Sequence, residues 1–175
     1  MTPQIGGKGW KRMLEIAPAG TGDLDRIMEI YRIAQDYMIA TGNPTQWGHE
    51  YPSEALVRQD IAQGVCHVIS GDGVIHGVFA LIGGEDPSYA RIDGGAWRNG
   101  EPYLTIHRIA GDGAVHGLFR CAAEYAKALS DNVRVDTHEN NRTMQRLIEA
   151  NGFVRCGIVY MLEDSSPRIA YHWVR

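Results

Sequence analysis

The sequence predicts a single α/β domain, a mixed sheet of about six or seven strands flanked by about four helices.

 The runs of alternating apolar residues that mark half-buried strands are interleaved with segments whose apolar residues recur at helical spacing. Asn141 opens one such helical segment directly after the strand-like run 133–138, and Asn151-Gly152 closes it before Phe153 starts another strand. Asn caps a helix because its amide oxygen satisfies an orphan N–H of the first turn, and Gly takes the left-handed conformation that ends one. With 175 residues the chain can bury a sizeable core without dividing in two.

Residues 1–12 hold Gly6, Gly7 and Gly9 with no periodicity and read as a flexible arm before a domain over 13–175. Residues 13–17 alternate as a first strand. Thr21-Gly22-Asp23 is a cap signal, and Leu24, Ile27, Met28, Tyr31, Ala34 and Met38 continue at helical spacing to Ala40. Thr41-Gly42-Asn43-Pro44 breaks that helix, and Pro52 or Ser53 opens a second one that ends at Gly64. Strands over 65–70 and 74–82 flank Gly71-Asp72-Gly73, a tight-hairpin sequence because Asp-Gly tolerates positive φ. A Gly-rich connection over 83–100 leads to a strand at 103–110, and Gly111-Asp112-Gly113 turns into a helix from Val115 to Leu129. The strand at 133–138, the helix at 141–150 and strands at 153–160 and 169–174 complete the order, with Met144, Leu147 and Ile148 as a core stripe.

Composition narrows the function classes. The net charge of −4 and the lack of a Lys/Arg cluster disfavour nucleic acid as a partner. No apolar run is long enough to span a bilayer, which disfavours a membrane. Cys66, Cys121 and Cys156 are odd in number and form no C-x-x-C pair, which fits reduced thiols in a cytoplasm. His67, His76, His116 and His172 lack metal-ligand spacing, so no metal is expected. There is no Gly-Lys-Ser/Thr for a P-loop, and Gly111 and Gly113 make only a partial dinucleotide fingerprint, with His116 in place of its third glycine.

The C-terminal half resembles the GNAT superfamily of acetyl-CoA-dependent N-acetyltransferases. Asn141, Met144 at +3, Leu147 at +6 and Gly152-Phe153 at +11 and +12 match that family's helix pattern, and the element order over 13–175 matches its fold. The resemblance implies acetyl-CoA as co-substrate and a small-molecule or peptide amine as acceptor; oligomeric state, a homodimer included, stays open. It places the phosphate loop on Ala114, Val115, His116, Gly117, Leu118 and Phe119, where Gly117 is kept while Ala114 and Phe119 depart from the pattern. It also implies that the pantetheine arm pairs with the strand edge at Ile109 and Ala110, that the Ile109 amide faces the thioester oxygen, and that Asn141 faces the cofactor. Many members carry a Tyr where this chain has Ile148, so Tyr160 is expected to replace it as acid. A module that binds CoA or an acyl ligand without turnover is the rival reading.

Other residues are expected at the site from their own positions. His107 is either a satisfied core histidine or the leading base, with His138 in reserve; Asp136 and His138 share one face of their strand, where they either handle the amine or are merely solvated, or His138 holds the turn into the helix that Asn141 caps. Arg108 either meets a carboxylate or enters the site, since arginine is rarely buried unpaired. Trp47, Tyr51, Tyr89 and Trp97 lie in or beside loops, where aromatics either wall an acceptor pocket or cap the core.

Overall fold

Residues 13–175 are described here by a computed structural model; the expected arm over 1–12 lies outside the described residues. The Asp72-Gly73 turn forms as its sequence requires, with φ of 53° and 78° at the two positions. It joins β2 (Cys66–Gly71) to β3 (Val74–Gly83) in an antiparallel hairpin. β1 (Leu14–Pro18) adds to the outer side of β2, and β4 (Leu104–Gly111) pairs antiparallel with β3. β5 (Asn132–Thr137), β6 (Val154–Tyr160) and β7 (Pro167–Val174) complete a seven-stranded sheet in the order β1-β2-β3-β4-β5-β7-β6.

Helices cover both faces. α1 (Leu24–Ala40) and α2 (Glu54–Ala62), the latter capped by the Ser53 hydroxyl, pack Leu24, Ile27, Ile30, Tyr31 and Val57 on Cys66, Val68, Val78 and Ala110. α3 (Leu118–Leu129) and α4 (Arg142–Ala150) cover the other face, with Phe119, Ala122, Ala126 and Ile148 against Phe79, Ile106, Val133 and Val135. Under the connection at 83–100, Tyr89, Tyr103, Val159 and Ala170 form a third cluster. Arg134 points into that side of β5, its guanidinium 4.0 Å from the Trp97 ring centre and 3.8 Å from that of Tyr103.

Three local expectations change. α3 begins at Leu118 and not at Val115, because Gly117 before it has φ of 87° and stands outside the helix as its cap. The long connection contains a 3-10 turn, Pro87–Tyr89, capped by Asp86, whose carboxylate accepts from the Ser88 amide at 2.9 Å. Leu147, expected in the core, is 41% exposed: α4 buries Ile148 completely and leaves Leu147 on its flank. All three cysteines are free, and no described helix is long and apolar enough to cross a membrane.

Candidate active site

β4 and β5 are parallel but share only two register pairs, Leu104↔Val133 and Thr105↔Arg134. Beyond Thr105 they separate, so the β4 backbone from Ile106 onward has no ladder to β5. On its other side β4 carries a bulge: Val78 pairs with Ala110 and Ala80 with His107, which leaves Phe79 opposite both Arg108 and Ile109. Arg108 takes φ of 52°, strained for a side chain with a Cβ, and its surroundings hold it there. Its carbonyl accepts from the Tyr31 hydroxyl at 2.8 Å. Its guanidinium forks onto Asp60 of α2 at 2.9 and 3.0 Å and reaches the Tyr51 hydroxyl at 3.3 Å. Of the two readings open for Arg108, the structure gives the carboxylate partner.

His107 stands one residue before the bulge, with Nε2 2.8 Å from Asp86 Oδ2. Asp86 is held from three sides, since its Oδ1 also accepts from Ser88 and its N–H donates to the Tyr103 hydroxyl at 2.8 Å. Burial alone raises the Asp86 carboxyl, but the hydrogen bond and charge of His107 and the Ser88 amide together hold it below the usual carboxylate range. An ionised carboxylate only accepts, so the proton of the neutral imidazole sits on Nε2 and the lone pair on Nδ1. Both side chains are 19% exposed, open enough to meet a ligand. Across the gap on β5, Asp136 accepts from the Tyr89 hydroxyl at 2.5 Å. Burial, and next the Asp136 charge, raise the Tyr89 phenol well above its ordinary value, so it stays protonated. The 86–89 turn thus ties His107 of β4 to Asp136 of β5.

Asn141 caps α4 through Oδ1, which accepts from the Met144 amide at 3.1 Å. Its Nδ2 donates to Gln46 Oε1 at 3.2 Å, and Asn43 Nδ2 donates to the same oxygen at 2.7 Å. The α1–α2 bend is therefore tied to the start of α4. His138 accepts from the Asn140 amide through Nδ1 at 3.0 Å and so shapes the turn into α4. Burial, and then the Arg168 charge, lower its pKa.

The remaining expected residues divide between the gap and the core. Trp47 packs with the α1/α2 cluster, edge-on to Tyr31 at 5.8 Å, and Tyr51 sits 6.2 Å from it. Trp97 donates to the Tyr89 carbonyl at 3.0 Å and lies over Arg134, partly buried against the Tyr89 cluster. Tyr160 donates to Asp93 at 3.0 Å on the edge strand β6, with β7 between it and β5. At a strand spacing of about 4.8 Å, that sets it about 10 Å from β5, and the structure does not bring it to the gap.

Ile109 packs toward α3 and Ala110 toward α1, and the chain then turns through 111–117 into α3. Val115 is half-buried and His116 exposed. Gly117 has no side chain to cap the first amides of α3, which leaves them free for an anion. Phe119 is turned into the core, 6.0 Å from Phe153, so its ring does not cover that end of the helix. At Gly111 a Cβ would lie 2.4 Å from Leu118 Cδ1, so a larger residue there would push the end of the Leu118 side chain aside.

Sequence reasoning missed Asp86, Asp60 and Gln46. Asp86-Pro87-Ser88 carried a cap signal, and Asp60, three residues after Val57, was a charge on an apolar helix stripe. Gln46 carried no signal. Among the described residues, no three His, Cys, Asp or Glu side chains are grouped to hold a metal ion.

No family model matches the chain, and no curated protein matches it in sequence. Solved structures do. A GNAT-family acetyltransferase from Streptococcus agalactiae is 30% identical, with 93% of this chain and 95% of that one covered and a TM-score of 0.80. A GNAT-family acetyltransferase from Listeria monocytogenes shares the fold at 14% identity, with 93% and 95% covered and a TM-score of 0.67. The ribosomal-protein-S18-alanine N-acetyltransferase from Escherichia coli shares it at 14% identity, with 93% and 94% covered and a TM-score of 0.59. With the parted strands, the bulge and the Asn-capped helix in place, the first of these likenesses carries the conclusion that the chain belongs to the GNAT family of acetyltransferases.

Proposed function

We propose that the chain is an N-acetyltransferase that acetylates a primary amine of a small molecule or peptide by direct attack in a ternary complex with acetyl-CoA. The observation that carries this reading is the unpaired β4 edge beyond Thr105, ending in a bulge beside the His107–Asp86 pair. Acetyl-CoA supplies the activated acetyl thioester. The β4 backbone at 106–110 offers the pantetheine arm a strand edge to pair with, and the Ile109 amide is the donor for the thioester oxygen. The first amides of α3, uncapped at Gly117, take the pyrophosphate. His107 Nδ1 accepts a proton from the amine, and Asp86 on Nε2 stabilises the imidazolium that forms. Tyr160 stands on Asp93, and water replaces it as donor to the leaving thiolate.

Binding and turnover test this separately. Millimolar CoA or acetyl-CoA raises the melting temperature through binding to the native state, while NADH and ATP do not. A panel of amines with acetyl-CoA then releases free thiol and gains acetyl mass. No thermal shift with CoA removes the reading. A shift with no turnover on any amine favours the module that binds without catalysis, toward which the departures at Ala114 and Phe119 point.

A further inference from the structure

The turn over residues 111–117 contains one charged side chain, and it is the wrong sign for a phosphate site: Asp112. The structure shows where that charge goes. Asp112 Oδ2 lies 2.6 Å from Arg26 Nη2 of α1 and 2.8 Å from His76 Nδ1 of β3. Its Oδ1 accepts from the Ala114 amide at 2.9 Å, and its own N–H donates to the His76 carbonyl at 2.9 Å. Arg26 is fixed in turn, since its Nε donates to the Ile75 carbonyl at 3.0 Å and its Nη1 to Glu29 at 2.8 Å. The Asp112 and His76 side chains are only 7% and 10% exposed, and Arg26 is 30% exposed. Three elements far apart in sequence thus converge on one carboxylate at the mouth of the turn.

We propose that Arg26 is a positioning residue for acetyl-CoA: with His76 it clamps the Asp112 carboxylate and neutralises its charge, so that the turn does not repel the pyrophosphate. This rests on the acetyl-CoA reading above. Ala114 stands where the family pattern has a basic or amide residue, so nothing within the turn offsets Asp112. Without Arg26 the Asp112 charge stands within the turn that leads to the pyrophosphate amides, with only His76 beside it, in a partly desolvated place where Coulomb repulsion is stronger than in bulk water.

Calorimetry on the full chain separates the clamp from the reading. Wild type binds CoA, and if it does not, the reading itself fails. Arg26→Gln weakens CoA binding about tenfold, the effect of one uncompensated charge at short range. The deficit shrinks at about 1 M salt, where the Debye length is about 3 Å. Binding of S-acetyl-pantetheine, which has no phosphate, stays unchanged. The double variant Arg26→Gln/Asp112→Asn returns CoA affinity to within about threefold of wild type, because the repelling charge is gone. Asp112→Asn alone keeps an oxygen for the Ala114 amide and binds CoA at least as tightly as wild type. The proposal is overturned if Arg26→Gln binds CoA like wild type, if it weakens CoA and S-acetyl-pantetheine equally, or if the double variant is as weak as Arg26→Gln. Should Arg26→Gln fail to fold, Asp112→Asn decides, and a tenfold loss of CoA affinity in it counts against the clamp.

Discussion

Acidification from about pH 7.5 to about pH 4.5 destabilises the fold through His172. This imidazole on β7 is completely buried. Its Nδ1 accepts from the Arg98 amide at 3.3 Å, and its Nε2 faces Asn132 Oδ1 at 3.2 Å. The same oxygen accepts from Asn99 Nδ2 at 2.7 Å, so it is the acceptor and Nε2 carries the proton. The neutral ring is therefore fully satisfied, and a second proton would point Nδ1–H at the Arg98 N–H. Burial first, then the charges of Arg134 and Arg98, lower the pKa to about 4. In the unfolded chain it is about 6.5, so as pH falls the unfolded state takes the proton first. Stability is full above the unfolded value, falls between about 6.5 and 4, and levels off below. The span of about 2.5 units corresponds to about 3.4 kcal/mol, of which about 2.5 kcal/mol is lost by pH 4.5. His138, also lowered, adds loss in the same direction, whereas Asp86 and Asp112 titrate below this window. Urea unfolding across the range, on wild type and His172→Gln, isolates the contribution. Wild type loses about 2.5 kcal/mol more than the variant, which cannot titrate there. Parallel pH profiles for the two proteins refute the reasoning.

Three further predictions concern the gap. Replacing Arg108 by Met leaves Asp60 buried without its partner and costs about 3–5 kcal/mol in urea unfolding, with much of the loss recovered when Asp60→Asn is added; equal losses in the single and double variants contradict the pairing. His107→Ala and Asp86→Asn lower kcat by about a hundredfold or more with little change in CoA affinity, while Tyr160→Phe keeps kcat; full turnover in a well-folded His107→Ala removes it as base. Asn141→Ala lowers stability by about 0.5–2 kcal/mol through the lost cap, and Asn141→Asp keeps the cap but loses the donor to Gln46 and weakens CoA binding; CoA affinity equal to wild type in Asn141→Asp reduces Asn141 to a cap.

Where a feature depends on residues close in the chain, the sequence determined it. The Asp72-Gly73 hairpin, the Ser53 and Asn141 caps and the faces of β5 follow from backbone sterics and side-chain period, which act over a few residues. The same rules placed His107 and Arg108 at the end of the correct strand and Asn141 at the correct helix start. Only the tertiary structure decided what those side chains meet. Asp86 reaches His107 across 21 positions, Asp60 reaches Arg108 across 48 and Arg26 reaches Asp112 across 86, and no local pattern encodes such pairs. The parting of β4 from β5 is likewise invisible in either strand alone, because pairing depends on how two strands distant in sequence are set side by side. Tyr160 makes the same point in reverse: its residue type suited an acid, but strand order set β7 between it and β5, and strand order is fixed by how the whole sheet assembles.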